Sequence, residues 1–146
     1  MSDTVKIGGE ERPRVILPTQ SDNGTPRYWK VKVISYRKKQ GKPNDQGEET
    51  WFYSWGFEIL EEGEYAGVRV YGSTNDEARR SYTTKKPMKL LQLITAVNGG
   101  TEPGKGEAWS LDDVVGKELN IELEDKQGVD GEQFQNAARF FPAKTE

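Results

Sequence analysis

A chain of 146 residues holds one domain around one hydrophobic core. Apolar residues make up 33% and charged residues 31%, so part of the chain lies outside the core, yet four Trp, six Tyr and five Phe exclude a disordered polymer. Cys and His are both absent, which removes disulfides, thiolate zinc sites, cysteine nucleophiles and the commonest general base; a binding protein without cofactor is expected, not an enzyme.

The arm at 1–26 is rich in Pro, Gly, Thr and charge and is expected to be partly disordered. Within it only Val15-Ile16-Leu17, between Pro13 and Pro18, reads as a short edge strand. Met1 to Glu10 has no apolar stretch, so no signal peptide is expected. The apolar run Leu90 to Val97 is too short to span a bilayer, which predicts a cytoplasmic protein with no membrane contact.

Arg27 to Arg37 alternates as a first strand, with Trp29, Val31 and Val33 on one face and Tyr28, Lys30, Lys32 and Tyr36 on the other. Lys38 to Thr50 lacks any apolar residue and reads as a long mobile loop. Trp51 to Leu60 is a second strand, with Tyr53, Trp55, Phe57 and Ile59 inward and Phe52, Ser54, Gly56 and Glu58 outward. Gly56 marks a candidate bend or bulge, and a bulge there would carry Phe52 to the core. After the turn Glu61 to Gly67, Val68 to Gly72 is a third strand, placing Arg69 and Tyr71 outward. Ser73 to Thr84 reads as a loop.

Lys86 to Asn98 is a helix: Pro87 suits its first turn, Leu90, Leu91, Ile94 and Val97 form an apolar stripe, and Gly99-Gly100 ends it. Ser110 to Asp113 is a short turn with Ser110 as cap. Leu119, Ile121 and Leu123 alternate in a fourth strand, Gln127 to Gly131 is a hairpin turn, and Glu132 to Phe141 is a fifth strand. Trp29, Trp51 and Trp55 are assigned to the core, and Trp109 to a packing anchor in a Gly-rich loop.

Five strands left open would expose two edges, which closure removes. The expected fold is mainly β, a five-stranded OB-type barrel over 27–142 with one helix between strands three and four, followed by a short tail at 143–146. An α+β sheet with the helix across one face is the alternative. Charge is segregated despite a net value of −3. Asn23 to Asn44 and Ala78 to Thr101 contain cations and no acid, a pattern that makes either a functional basic patch or merely a solvated face. Asp112-Asp113 and Glu122, Glu124 and Asp125 could hold a divalent cation, but adjacent acids in a capped turn are commoner than metal sites, and Asp125 to Glu132 has the wrong ligand spacing for a calcium loop, so no metal site is expected.

Three segments, EILEEGEYAGVRVYG (58–72), KKPMKLLQLITAVNG (85–99) and SLDDVVGKELNIELEDKQGVDGEQFQNAARFFP (110–142), resemble a family of small phage-encoded proteins. The shared order is a strand, a G-x-Y-x-G turn, a Lys/Leu-rich helix, a strand entry around Gly116 and a final aromatic-Pro strand, covering about residues 27–142. The resemblance implies OB-fold single-stranded DNA binding in replication or recombination, in the host cytoplasm, with replication or recombination proteins as further partners. The chain departs from the family in its loop at 38–50 and in its ending, Ala143 to Glu146, which is not an acidic tail for recruiting such partners.

Single-strand binding needs cations along the phosphates and flat side chains under the bases. The expected nucleic-acid residues are Tyr28, Lys30, Lys32, Tyr36, Phe52, Arg69 and Tyr71 on the outer face, Arg37, Lys38 and Lys39 at the loop, and Arg79, Arg80, Lys85 and Lys86 along the groove's other border. Stacking tolerates any base, so little sequence preference is expected. Outward aromatics also serve as cross-strand pairs that stabilise a sheet. The rival function is a protein-interaction or adaptor module without nucleic acid, as a homodimer or other homo-oligomer.

Overall fold

Alternating side chains give each strand one inward face, and five such strands close on one another. The computed structural model describes residues 16–127 and 133–143; residues 1–15, which hold most of the expected arm, residues 128–132, which hold most of the hairpin turn expected at Gln127 to Gly131, and the tail at 144–146 lie outside the described residues. The strands are β1 (Tyr28–Gln40), β2 (Trp51–Ile59), β3 (Arg69–Asn75), β4 (Glu118–Gln127) and β5 (Gln133–Pro142). They pair in the order β1-β2-β3-β5-β4, and β4 returns to β1. The pairs are antiparallel except for a parallel step at Tyr71–Asn136 between β3 and β5. The chain is thus mainly β, a five-stranded sheet closed in a ring, with the helix α1 (Lys89–Val97) between β3 and β4.

The interior is filled by Trp29, Val31 and Val33 from β1, Trp55, Phe57 and Ile59 from β2, and Leu119, Ile121 and Phe140 from the far side. Leu90, Leu93 and Ile94 of α1 join the same cluster. Leu17 does too, although residues 16–18 form no strand. Its N–H donates to Gln135 Oε1 (2.9 Å) and its carbonyl accepts from Gln135 Nε2 (2.6 Å), so a side-chain amide stands in for a neighbouring strand. The Trp29 indole N–H donates to the Pro18 carbonyl at 3.0 Å.

Closure depends on a residue with no side chain. A Cβ on Gly72 of β3 would sit 2.7 Å from the Ala137 carbonyl oxygen and 2.9 Å from Ala137 Cβ on β5. Glycine there lets the two strands approach closely enough to seal the ring.

Several expectations about the elements are corrected, among them the third strand, which runs on to Asn75 and takes in the first three residues of the stretch expected as a loop. β1 continues three residues past Arg37, because Lys38, Lys39 and Gln40 pair with Tyr53, Phe52 and Trp51. Ladder bonds need no apolar side chain, so a hairpin that projects past the core is invisible to hydropathy. The loop that remains is tied together: Gly41 N–H donates to Thr50 O, and Asn44 Oδ1 accepts from the N–H groups of Gln46 and Glu48. α1 starts at Lys89, not Lys86; Lys85 is left-handed (φ 63°) and Pro87 bridges to Arg80. Asn75 Oδ1, at the end of β3, accepts from Leu90 N–H at 3.0 Å and caps the helix from outside its own segment. Ser110 makes no side-chain cap; its carbonyl accepts from Asp113 N–H, closing the 3-10 turn Leu111–Asp113.

Beyond Val33, β1 has β2 on one side and no strand on its other edge among the described residues. No described helix is long and apolar enough to cross a membrane.

Candidate functional site

A single extra residue in β1 organises the outer surface. Val33 pairs with Phe57 and Ser35 with Gly56, so Ile34 is unmatched and forms a bulge. Before it, Tyr28, Lys30 and Lys32 face outward; after it, the outward positions become Ser35, Arg37 and Lys39. Gly56 supplies the room opposite, since a Cβ there would sit 2.6 Å from Ser35 Oγ. The bulge therefore lies on β1, and Phe52 keeps its outward position on β2.

The second half of β1 builds a trough with β2 and β3. Its cross-strand rows are Ser35–Gly56–Tyr71, Arg37–Ser54–Ser73 and Lys39–Phe52–Asn75. Small residues form the floor, cations stand on the β1 side, Tyr71 on the β3 side and Phe52 near one end. A hollow of about 500 Å³ occupies the part of it lined by Ser35, Arg37, Lys39, Ser54, Gly56 and Tyr71, together with Tyr36. Tyr71 is 54% exposed, with its ring edge against Gly56. Arg37 and Lys39 pair with no carboxylate among the described residues.

The next outward row is Glu118–Lys32–Glu58–Arg69 across β4, β1, β2 and β3. Its signs alternate, with Lys32 and Arg69 on either side of Glu58, while Glu118 reaches Lys30 instead. The positive excess of the trough is concentrated at Arg37 and Lys39.

Tyr36 is corrected: the bulge turns it to the inner face, tilted against Trp55 with ring centres 5.2 Å apart. Its hydroxyl donates to Asp112 Oδ1 at 2.6 Å, and this hydrogen bond to a carboxylate holds the phenol above its usual pKa. Lys38 also turns inward, its ammonium 5.5 Å from the Trp51 ring and 6.0 Å from the Tyr53 ring. Trp51 is corrected as well. It lies beyond the core on the projecting hairpin and is 41% exposed.

Tyr28 and Lys30 lie on the other half of β1, beside β4. Tyr28 meets Phe141 edge-on at 4.9 Å. A larger hollow of about 640 Å³ lies here, lined by Arg27, Tyr28, Lys30, Glu61 and Asn120. Its cations are matched by acids, Arg27 with Glu61 (3.3 Å) and Lys30 with Glu118 (3.5 Å). Volume favours this hollow, whereas uncompensated charge favours the trough; for a polyanion the charge decides.

The segment 76–88 leaves β3 beside the Phe52–Asn75 pair. Arg80 binds Glu102 in bidentate fashion at 3.1 and 2.9 Å, and Arg79 binds Glu77. Hydrogen bonds to these carboxylates raise both guanidinium pKa values. Both arginines thus act first as braces. Lys85 and Lys86 are exposed and carry no ion pair among the described residues.

Of the fourteen expected residues, Arg37, Lys39, Phe52, Arg69 and Tyr71 share the trough face, with Lys32 at its border. Sequence reasoning missed Trp51 and Tyr82 as exposed aromatics. A signal for Tyr82 existed: it is the only aromatic among the polar residues of Ser73 to Thr84. No protein-family model matches the chain, and no curated protein matches it.

Proposed function

We propose that the protein is an OB-type single-stranded DNA-binding protein of the phage replication or recombination kind, binding with little sequence preference. The ring order β1-β2-β3-β5-β4, the parallel β3–β5 step and the helix between β3 and β4 support the OB type. The observation that carries the function is the trough: a floor of Ser35, Ser54, Gly56 and Ser73 between Arg37 and Lys39, which have no carboxylate partner among the described residues, and the exposed ring of Tyr71. Small floor residues let a backbone lie close, the cations take phosphates, and the phenol ring takes a base. Stacking tolerates any base and phosphate contacts carry no sequence information, so single strands of any sequence suit it. Competition is the test: unlabelled single strand should displace a bound labelled single strand far better than duplex does. Equal displacement by duplex refutes the reading.

A second reading, a protein-interaction module or homodimer, draws on one observation, the open edge of β1 beyond Val33. An apolar or backbone-paired interface is weakly screened. Binding that is indifferent to salt would favour it over the nucleic-acid reading.

A further inference from the structure

Tyr82 is 76% exposed, more than any other large apolar or aromatic side chain among the described residues. One face of its ring is covered by the Arg79 guanidinium, 4.0 Å from the ring centre. Leaving a ring this exposed gains no burial, and the chain around it is tightly fixed. Ser81 N–H donates to Lys86 O (2.9 Å), Lys85 N–H to Ser81 O (3.0 Å) and Arg80 Nη1 to Lys85 O (2.8 Å). Arg80 in turn is clamped on Glu102. Lys85 holds a left-handed backbone (φ 63°), a conformation that costs a non-glycine residue energy. The result is a small rigid loop presenting one aromatic face, backed by a cation, with Lys85 and Lys86 within four residues.

From this geometry we infer that the 79–86 loop is a second nucleotide-binding subsite, resting on the single-strand reading above. A base stacks on the open face of Tyr82, its phosphates meet Lys85 and Lys86, and Arg79 holds the ring. The class of ligand follows from the pairing of a flat ring with adjacent uncompensated cations; a carboxylate ligand would use the cations but not the ring, and an apolar one the reverse. The loop leaves β3 at Asn75, beside the Phe52 end of the trough, so a strand lying in the trough can continue onto it.

The test compares oligothymidylates of two lengths, about 4 and about 16 nucleotides, the span of single OB-type sites. Wild type, Tyr82→Ala and Tyr71→Ala are titrated by fluorescence anisotropy, with melting as a fold control. Tyr82→Ala should melt like wild type and bind the long oligomer about 5- to 150-fold more weakly, the loss of one stacked base, while binding the short one normally. Tyr71→Ala should weaken both lengths. For the long oligomer the log–log salt slope should be near −2.8 from Arg37, Lys39, Lys85 and Lys86, falling to about −1.4 in Lys85→Gln/Lys86→Gln. Wild-type affinity of Tyr82→Ala for the long oligomer overturns the subsite while leaving the trough standing. Equal loss at both lengths also overturns it, since Tyr82 then belongs to the trough's own site. No binding of either length by wild type removes both readings.

Discussion

Tyr71 and Val70 are adjacent on β3 and face opposite ways, so exchanging each for Ala separates surface from core. Tyr71 is 54% exposed and stands across from Gly56, which offers its ring no side chain to pack on. Tyr71→Ala should therefore cost at most about 1 kcal/mol of stability, the scale of a cross-strand contact. Its binding loss should be about 1–3 kcal/mol, or roughly 5- to 150-fold in Kd, the value of one stacked base. Val70 is buried opposite Phe57 in the core cluster. Val70→Ala removes two methyl groups, about 1.6 kcal/mol of transfer energy, and leaves a cavity; together these come to about 2–3 kcal/mol. Urea unfolding measured beside oligonucleotide affinity, below both melting temperatures, gives the two quantities for each variant. The expected result is a crossed pattern: Tyr71→Ala stable and weak-binding, Val70→Ala unstable and binding normally while folded. A Tyr71→Ala protein that melts early yet binds like wild type refutes the reasoning and makes Tyr71 a structural residue.

Two further outcomes test the frame. Gly72→Ala should destabilise by about 1–3 kcal/mol, since its Cβ meets the backbone oxygen of Ala137, and adding Ala137→Gly should restore only part, because that oxygen stays; a Gly72→Ala variant with an unchanged urea midpoint would show that the β3–β5 seam can part freely. Tyr36 has a folded pKa above its unfolded value of about 10, so its bond to Asp112 contributes fully below about pH 10 and is lost as pH rises through the folded pKa. The stability gap between wild type and Tyr36→Phe should hold from neutral pH to about 10 and shrink beyond it; a gap that ignores alkaline pH contradicts the assignment.

The strands and helix were legible because alternation and helical spacing report burial directly, as Trp29-Val31-Val33 and Leu90-Ile94 show. The facing of Tyr36 was not, because strict alternation was carried through Ile34. The adjacent pair Val33-Ile34 was the available sign, two apolar residues in succession where alternation calls for one. Trp51 was misassigned because aromatic character predicts burial only where the strand still overlies the core, and β2 begins before it does. Asn75 as a helix cap and Gln135 as a substitute strand partner are tertiary pairings with no local signature. The candidate site was legible in its residue types, while its division into a charged trough and a neutralised hollow came only from register.

The edge of β1 that no described strand pairs sets a limit on how its cations can be studied. A bare strand edge invites another chain to add to it, and charged side chains along the edge are a common deterrent. Arg37, Lys38 and Lys39 lie on that stretch, one on alternate faces from its neighbours, so any approaching strand meets positive charge from both sides. Removing the charge to abolish ligand binding therefore also removes the guard against self-association. Neutral replacements such as Gln would yield a protein whose lost affinity is mixed with aggregation. Exchanging Arg37 and Lys39 for Glu keeps the edge repulsive between copies while reversing its sign toward phosphate, and so isolates the ligand effect from the solubility effect.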